Sequence, residues 1–154
     1  MSTINTLFDR DIFRPIQEVI KVDQQDDSVV IQEIEEYVPT PAIRKSFTGI
    51  LESYAESKNK PSEQMASWVS GFFGSGKSSF AKLLGIAIEN RDLEGTPAGR
   101  RIAQKFHDSR TDVVLSTIGE KLPSEVVIFD LATDAGVRNS DQKLTEIIYR
   151  QLLE

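Results

Sequence analysis

The sequence predicts an α/β fold organised around a phosphate-binding loop, and three observations carry that expectation. Gly71, four residues, then Gly76-Lys77-Ser78 fits the pattern G-x-x-x-x-G-K-[ST]. A short β-favouring stretch, Ala66–Ser70 with Trp68 and Val69, precedes the loop, and a helix that is apolar nearly all round, Ser78–Glu89, follows it. Farther on, Val126-Val127-Ile128-Phe129 is a continuous apolar run ending at Asp130, as a buried parallel strand reads. The expected architecture is an incomplete P-loop NTPase core over residues 63–154. A small N-terminal α+β segment, residues 1–62, would pack on the nucleotide site. Two strands alone would leave much sheet edge uncovered, so the 154 residues read as the N-terminal part of a longer protein.

The loop's residue types follow from the charge it would hold. A triphosphate presents closely spaced anionic oxygens, and backbone N–H groups can surround them only where no Cβ intervenes. Gly71, Gly74 and Gly76 supply that room and permit positive φ where the loop turns. Lys77 would set an ammonium on the β- and γ-phosphates. Ser78 would give its hydroxyl to Mg²⁺ at the start of a helix whose positive dipole end faces the anion. Phe72, Phe73, Ser75 and Ser79 complete the expected binding stretch. The phosphates need only backbone at Phe72 and Phe73, so their rings are expected to pack beneath the loop.

Taken in order, Val19–Asp23 alternates as a short strand does, and Asp26, Asp27 and Ser28 open a helix. Val30, Ile34, Tyr37 and Val38 fall on one face of it. Thr40-Pro41 is a cap followed by proline at the first helical position, and Ile43, Phe47, Ile50, Leu51 and Tyr54 mark one face of the helix it starts. Lys58–Ser62 is an exposed link. Beyond the central helix, Asn90–Gly95 reads as a polar connection and Thr96-Pro97 as a second cap-plus-proline start, for a helix to about His107. A further helix covers Thr111–Gly119, and Leu122-Pro123-Ser124 breaks it. Ser140 caps a closing helix carrying Leu144, Ile147, Ile148 and Leu152. Arg100, Arg101 and Lys105 form a small basic face expected to be solvated, as is His107; Arg10 and Arg14 are expected to pair with Asp9 and Asp11.

Composition narrows the classes. Eighteen basic against 24 acidic residues leave a net charge of −6, which argues against a large nucleic-acid surface within this segment. Without cysteine there is no disulfide and no cysteine-based zinc site. No apolar run is long enough to span a bilayer, and the start, Met1–Asn5, lacks the pattern of a secretory signal. A cytoplasmic location without a membrane partner is expected.

Several segments together resemble the BrxC/PglY-like family of BREX-type phage-defence P-loop proteins. They are Leu7–Ile16, Val19–Gln24, Glu36-Tyr37-Val38-Pro39-Thr40 and Trp68–Ser78, in that order and spacing. The resemblance covers residues 7–90 well and the remainder loosely. It implies an AAA-like ATPase core using ATP and Mg²⁺. It also implies defence-system partners including a DNA methyltransferase, DNA reached indirectly or through regions outside this chain, and compatibility with a homo-oligomer. Glu36–Thr40 leads into a helix as the adenine-side segment of AAA-type proteins does, so Tyr37 and Val38 have two readings, adenine cover and plain core packing. Asp130 likewise reads either as the magnesium-holding acid or as a strand-end turn cap; Leu131, not an acid, follows it. The catalytic base is unassigned. A non-catalytic nucleotide switch or scaffold is the rival reading, with a small-molecule kinase third.

Overall fold

The computed structural model describes residues 4–8, 12–13, 26–58 and 66–129, together with positions 145, 148, 149 and 153. The expected strand at Val19–Asp23, the Asp9–Asp11, Arg10 and Arg14 pairings, Asp130 and most of the closing helix lie outside the described residues. After a 3₁₀ turn at Ile4–Leu7 come α1 (Asp27–Glu36), α2 (Pro41–Ser57), α3 (Lys77–Glu89), β1 (Asp92–Leu93), β2 (Thr96–Pro97), α4 (Ala98–Phe106) and α5 (Ser109–Lys121). The described residues are therefore mostly helical with one small antiparallel sheet. Helices and strands are both present, but the expected parallel pair is not: neither Ala66–Ser70 nor Val126–Phe129 joins a ladder.

Helix α1 starts where the paired aspartates predict, and Val30 and Ile34 are buried one turn apart. The predicted stripe stops short at its end. The helix finishes at Glu36, and Pro39 disfavours helical backbone at Val38, which is mostly exposed. Helix α2 opens as its cap predicts, with the Thr40 hydroxyl accepting the Ile43 N–H at 3.3 Å and Pro41 at the first position. Its Phe47 and Leu51 are fully buried.

The stretch after α3 departs from expectation. Asn90–Gly95 is not merely a polar connection, because Asp92↔Pro97 and Leu93↔Thr96 pair across a tight turn. Glu94 and Gly95 both have positive φ, 51° and 80°, as a primed two-residue hairpin turn demands, and the Asp92 carboxylate accepts the Gly95 N–H at 2.7 Å. Thr96-Pro97 thus closes a hairpin instead of capping a helix. The cap of α4 comes from farther back: the Asn90 side-chain oxygen accepts the Gly99 N–H at 2.8 Å. Asn90 itself sits in the left-handed region at the end of α3. A Cβ on Gly99 or Gly119 would collide with its amide, so the two glycines admit Asn90 between α4 and α5.

Helix α5 begins two residues before the predicted start, at Ser109. Asp108 caps it, its carboxylate taking both the Thr111 N–H at 3.0 Å and the Thr111 hydroxyl at 2.6 Å. Because the Thr111 proton is spent on Asp108, the buried 2.7 Å contact between Thr48 and Thr111 has Thr48 as donor. Those two bonds hold the Asp108 carboxyl below its usual range. The basic face on α4 is less solvated than predicted: Arg101 donates to the Leu93 carbonyl at 2.9 Å, and Lys105 to that of Glu35. His107 is exposed at the helix end, as expected.

Helix α4 touches α1, α3, α5 and β2, and α2 packs on α5. The centre is an aromatic chain. Tyr37 stacks on Phe106 at 6.2 Å, Phe106 lies 4.7 Å from Phe47, and Phe47 meets Phe80 edge-on at 5.7 Å. Phe80 is in the first turn of α3, so this chain ties the helix behind the predicted loop to the buried core. No helix among the described residues is long and apolar enough to cross a membrane.

Candidate phosphate site

Lys77 is the first residue of α3, and Gly76 stands at its N-cap with φ 82° and ψ 19°. Gly76 has no side chain to satisfy the first-turn amides, so these donors open toward whatever lies before the helix. Gly74, with φ 75°, turns the chain two residues earlier. The loop closes on itself through the Ser75 N–H, which donates to the Phe72 carbonyl at 3.2 Å. The Lys77 ammonium folds back over the loop and donates to the same carbonyl at 2.7 Å. Gly71 differs from the other two. A Cβ there would lie 2.6 Å from the Ser75 hydroxyl oxygen, so a larger residue would require the Ser75 side chain to turn away.

The aromatic pair in the loop does not pack beneath it. Phe72 and Phe73 are both turned out to solvent. The Ser75 side chain and the Lys77 stem occupy the inner side next to Gly71. Ser78 is exposed and Ser79 half-buried.

A cleft of about 690 Å³ joins the loop to the helices. Gly71, Phe72, Gly74, Ser75, Gly76, Lys77 and Ser79 line it together with Tyr37, Val38, Ile43, Phe80 and Trp68. The structure therefore brings Tyr37 and Val38 beside the loop, while Phe73 and Ser78 are not among the cleft's lining residues. Tyr37 is also a packing residue: its ring stacks on Phe106, and burial pushes its hydroxyl above the ordinary tyrosine value. A neighbouring cavity of about 230 Å³ shares Tyr37, Val38 and Ser79 and adds Glu33, Leu83 and Ile86.

Two features of this region escape a reading by periodicity. Lys82, only 2 % exposed, is ion-paired with Glu33 of α1 at 2.8 Å, pinning α1 to the helix that begins at the loop. Its signal is a lone cation in an otherwise apolar stretch of α3, Phe80–Ile88. The other is Gly85. A Cβ on it would meet Ile128 at 2.6 Å and Val126 at 3.0 Å. The Val126–Phe129 run lies against α3 through alternate residues, as a strand would, although no partner strand is hydrogen-bonded to it among the described residues.

The donor set suits a polyphosphate: a glycine cradle that a Cβ would fill, first-turn amides and one ammonium. Among the described residues no cluster of three or more His, Asp or Glu side chains is placed to hold a metal by itself. A Mg²⁺ here would take the Ser78 hydroxyl, with its remaining ligands from a bound anion or water. No family model and no solved structure matches the chain.

Proposed function

We propose that this chain binds Mg-ATP through Gly71–Ser79, as the nucleotide-binding N-terminal part of a P-loop ATPase of AAA-like type. The observation that carries the reading is the loop itself. Positive φ at Gly74 and Gly76 turns the loop so that the first-turn amides of α3 open ahead of the helix, and Lys77 already lies over the loop. The Lys77 ammonium exchanges a loop carbonyl for phosphate oxygens, which are stronger acceptors for a charged donor. Ser78 is the residue that would give its hydroxyl to a bound Mg²⁺, which would supply neutralisation of phosphate charge. Tyr37 and Val38 belong to the base side of the same cleft.

The order and spacing of Leu7–Ile16, Val19–Gln24, Glu36–Thr40 and Trp68–Ser78 support placing that ATPase in a BREX-type phage-defence system. There it would act with a DNA methyltransferase and other defence proteins. A nucleotide switch that does not hydrolyse is the second reading. One observation favours it: Glu33, an acid beside the site, is already committed to Lys82 and so is not free as a general base.

Calorimetric titration with ATP, with and without Mg²⁺, tests the main reading. Lys77→Ala is expected to abolish binding, and wild-type affinity in that variant refutes the assignment. Phosphate release under saturating Mg-ATP separates ATPase from switch.

A further inference from the structure

We infer that Trp68 is the stacking platform for the nucleobase of the bound nucleotide, an inference that rests on the phosphate-loop reading. Four aromatic side chains line the cleft: Tyr37, Trp68, Phe72 and Phe80. Two are engaged elsewhere. Tyr37 lies face to face with Phe106, and Phe80 points edge-on into Phe47. Phe72 belongs to the loop, and its carbonyl is the point to which Lys77 is drawn. Its place is beside the phosphates, at the wrong end of the ligand for a base.

Trp68 is 92 % exposed, although its large apolar surface favours burial. It stands three residues before Gly71, which chain length limits to a separation of about 10 Å, the scale of the ribose and inner phosphate between loop and base. The cleft is continuous from the loop to the indole and has the volume of a small-ligand site. An aromatic face held open at that distance from a phosphate cradle fits a planar heterocycle. Stacking uses the π-face that every base has, so the contact strengthens binding without choosing between purines.

Trp68 is the only tryptophan in the chain, so its fluorescence reports on the site directly. The test titrates the whole chain and its Trp68→Ala variant with Mg-ATP, Mg-GTP and Mg-tripolyphosphate, the last carrying phosphates and no base. In the wild type, both nucleotides are expected to perturb the indole emission and tripolyphosphate to leave it unchanged. Trp68→Ala is expected to weaken both nucleotides about tenfold, the scale of base–aromatic stacking, and to leave tripolyphosphate affinity intact. Trp68→Phe is expected to restore most of the loss. Equal affinities for ATP in wild type and Trp68→Ala overturn the inference while leaving the phosphate loop standing. A parallel loss of tripolyphosphate binding also overturns it, since Trp68 would then be acting on the loop. Failure of the wild-type chain to bind either nucleotide or tripolyphosphate removes the phosphate-loop reading and the stacking role together.

Discussion

The α1–α2–α4–α5 assembly and the segment 66–76 obey different rules. In the first, large apolar residues at helical spacing are packed together: Phe47, Leu51, Ile102, Phe106 and Ile118 are fully buried, and the polar pair Thr48 and Thr111 is hydrogen-bonded inside. In the second, Trp68, Phe72 and Phe73 are bare, and the backbone is shaped by glycines and by one lysine on a carbonyl. One region is specified by burial, the other by backbone geometry: positive φ at Gly74 and Gly76 and a lysine folded onto a loop carbonyl. The contrast shows why hydrophobicity is a poor guide in the second: the polar Ser75 and Lys77 side chains take the inner side of the loop, and the aromatic rings face outward.

The strongest way to break this comparison is at the centre of the aromatic chain. Phe47→Ala empties a site bordered by Phe80 and Phe106 and is expected to cost about 4 kcal/mol of stability, read as a shifted denaturant midpoint at unchanged slope. A loss under about 1 kcal/mol would mean that the helices do not share one core.

Two lysines five residues apart on α3 sharpen it next. Lys77 is at the loop and its ammonium is available to a ligand; Lys82 is buried against Glu33. Lys82→Ala leaves the Glu33 carboxylate in a largely dry place without that cation and is expected to cost about 3 kcal/mol. Tripolyphosphate binding by the folded protein is expected to persist. Lys77→Ala has the opposite profile, with stability changed by less than about 0.5 kcal/mol and binding gone. If Lys82→Ala abolishes binding at temperatures where it is still folded, the two regions are not separable.

How far the sequence discloses this molecule follows the same division. The faces of α1 and α2 are legible because Val30, Ile34, Phe47 and Leu51 repeat at helical spacing, and Thr40-Pro41 marks a start by local chemistry alone. The turn of the loop is legible because Gly74 and Gly76 are where the backbone takes positive φ. The β1–β2 hairpin escapes because Asp92–Pro97 offers only two residues per strand, too few for alternation to register. Its signal is the Glu94-Gly95 pair at a turn requiring two positive φ angles. Asn90 escapes because its role depends on glycines nine and 29 residues away, which only packing brings together. Ala66–Ser70 and Val126–Phe129 have strand composition, but a strand requires a neighbour with which to pair, and composition does not supply one.

The finest test concerns the cap of α5, a core-side device that acts through charge. Asp108 accepts two bonds from Thr111, which lower its pKa in the folded protein relative to the unfolded chain. The sign follows from linkage. The ionised carboxylate is favoured in the folded state, so its contribution is complete above the unfolded value. That contribution declines as pH falls and is lost once pH passes below the depressed folded value. Asp108→Ala is expected to cost about 1 kcal/mol near neutral pH, as loss of a helix cap does. Asp108→Asn should recover much of that, since an amide oxygen still accepts the Thr111 N–H. The decisive reading is the difference between wild type and Asp108→Asn as a function of pH, taken from denaturant midpoints at several acidic values. It should narrow as the pH drops through the titration of Asp108, because the protonated acid and the amide cap alike. A constant gap over that range would show that the charge on Asp108 contributes nothing, and that shape alone fixes the start of α5.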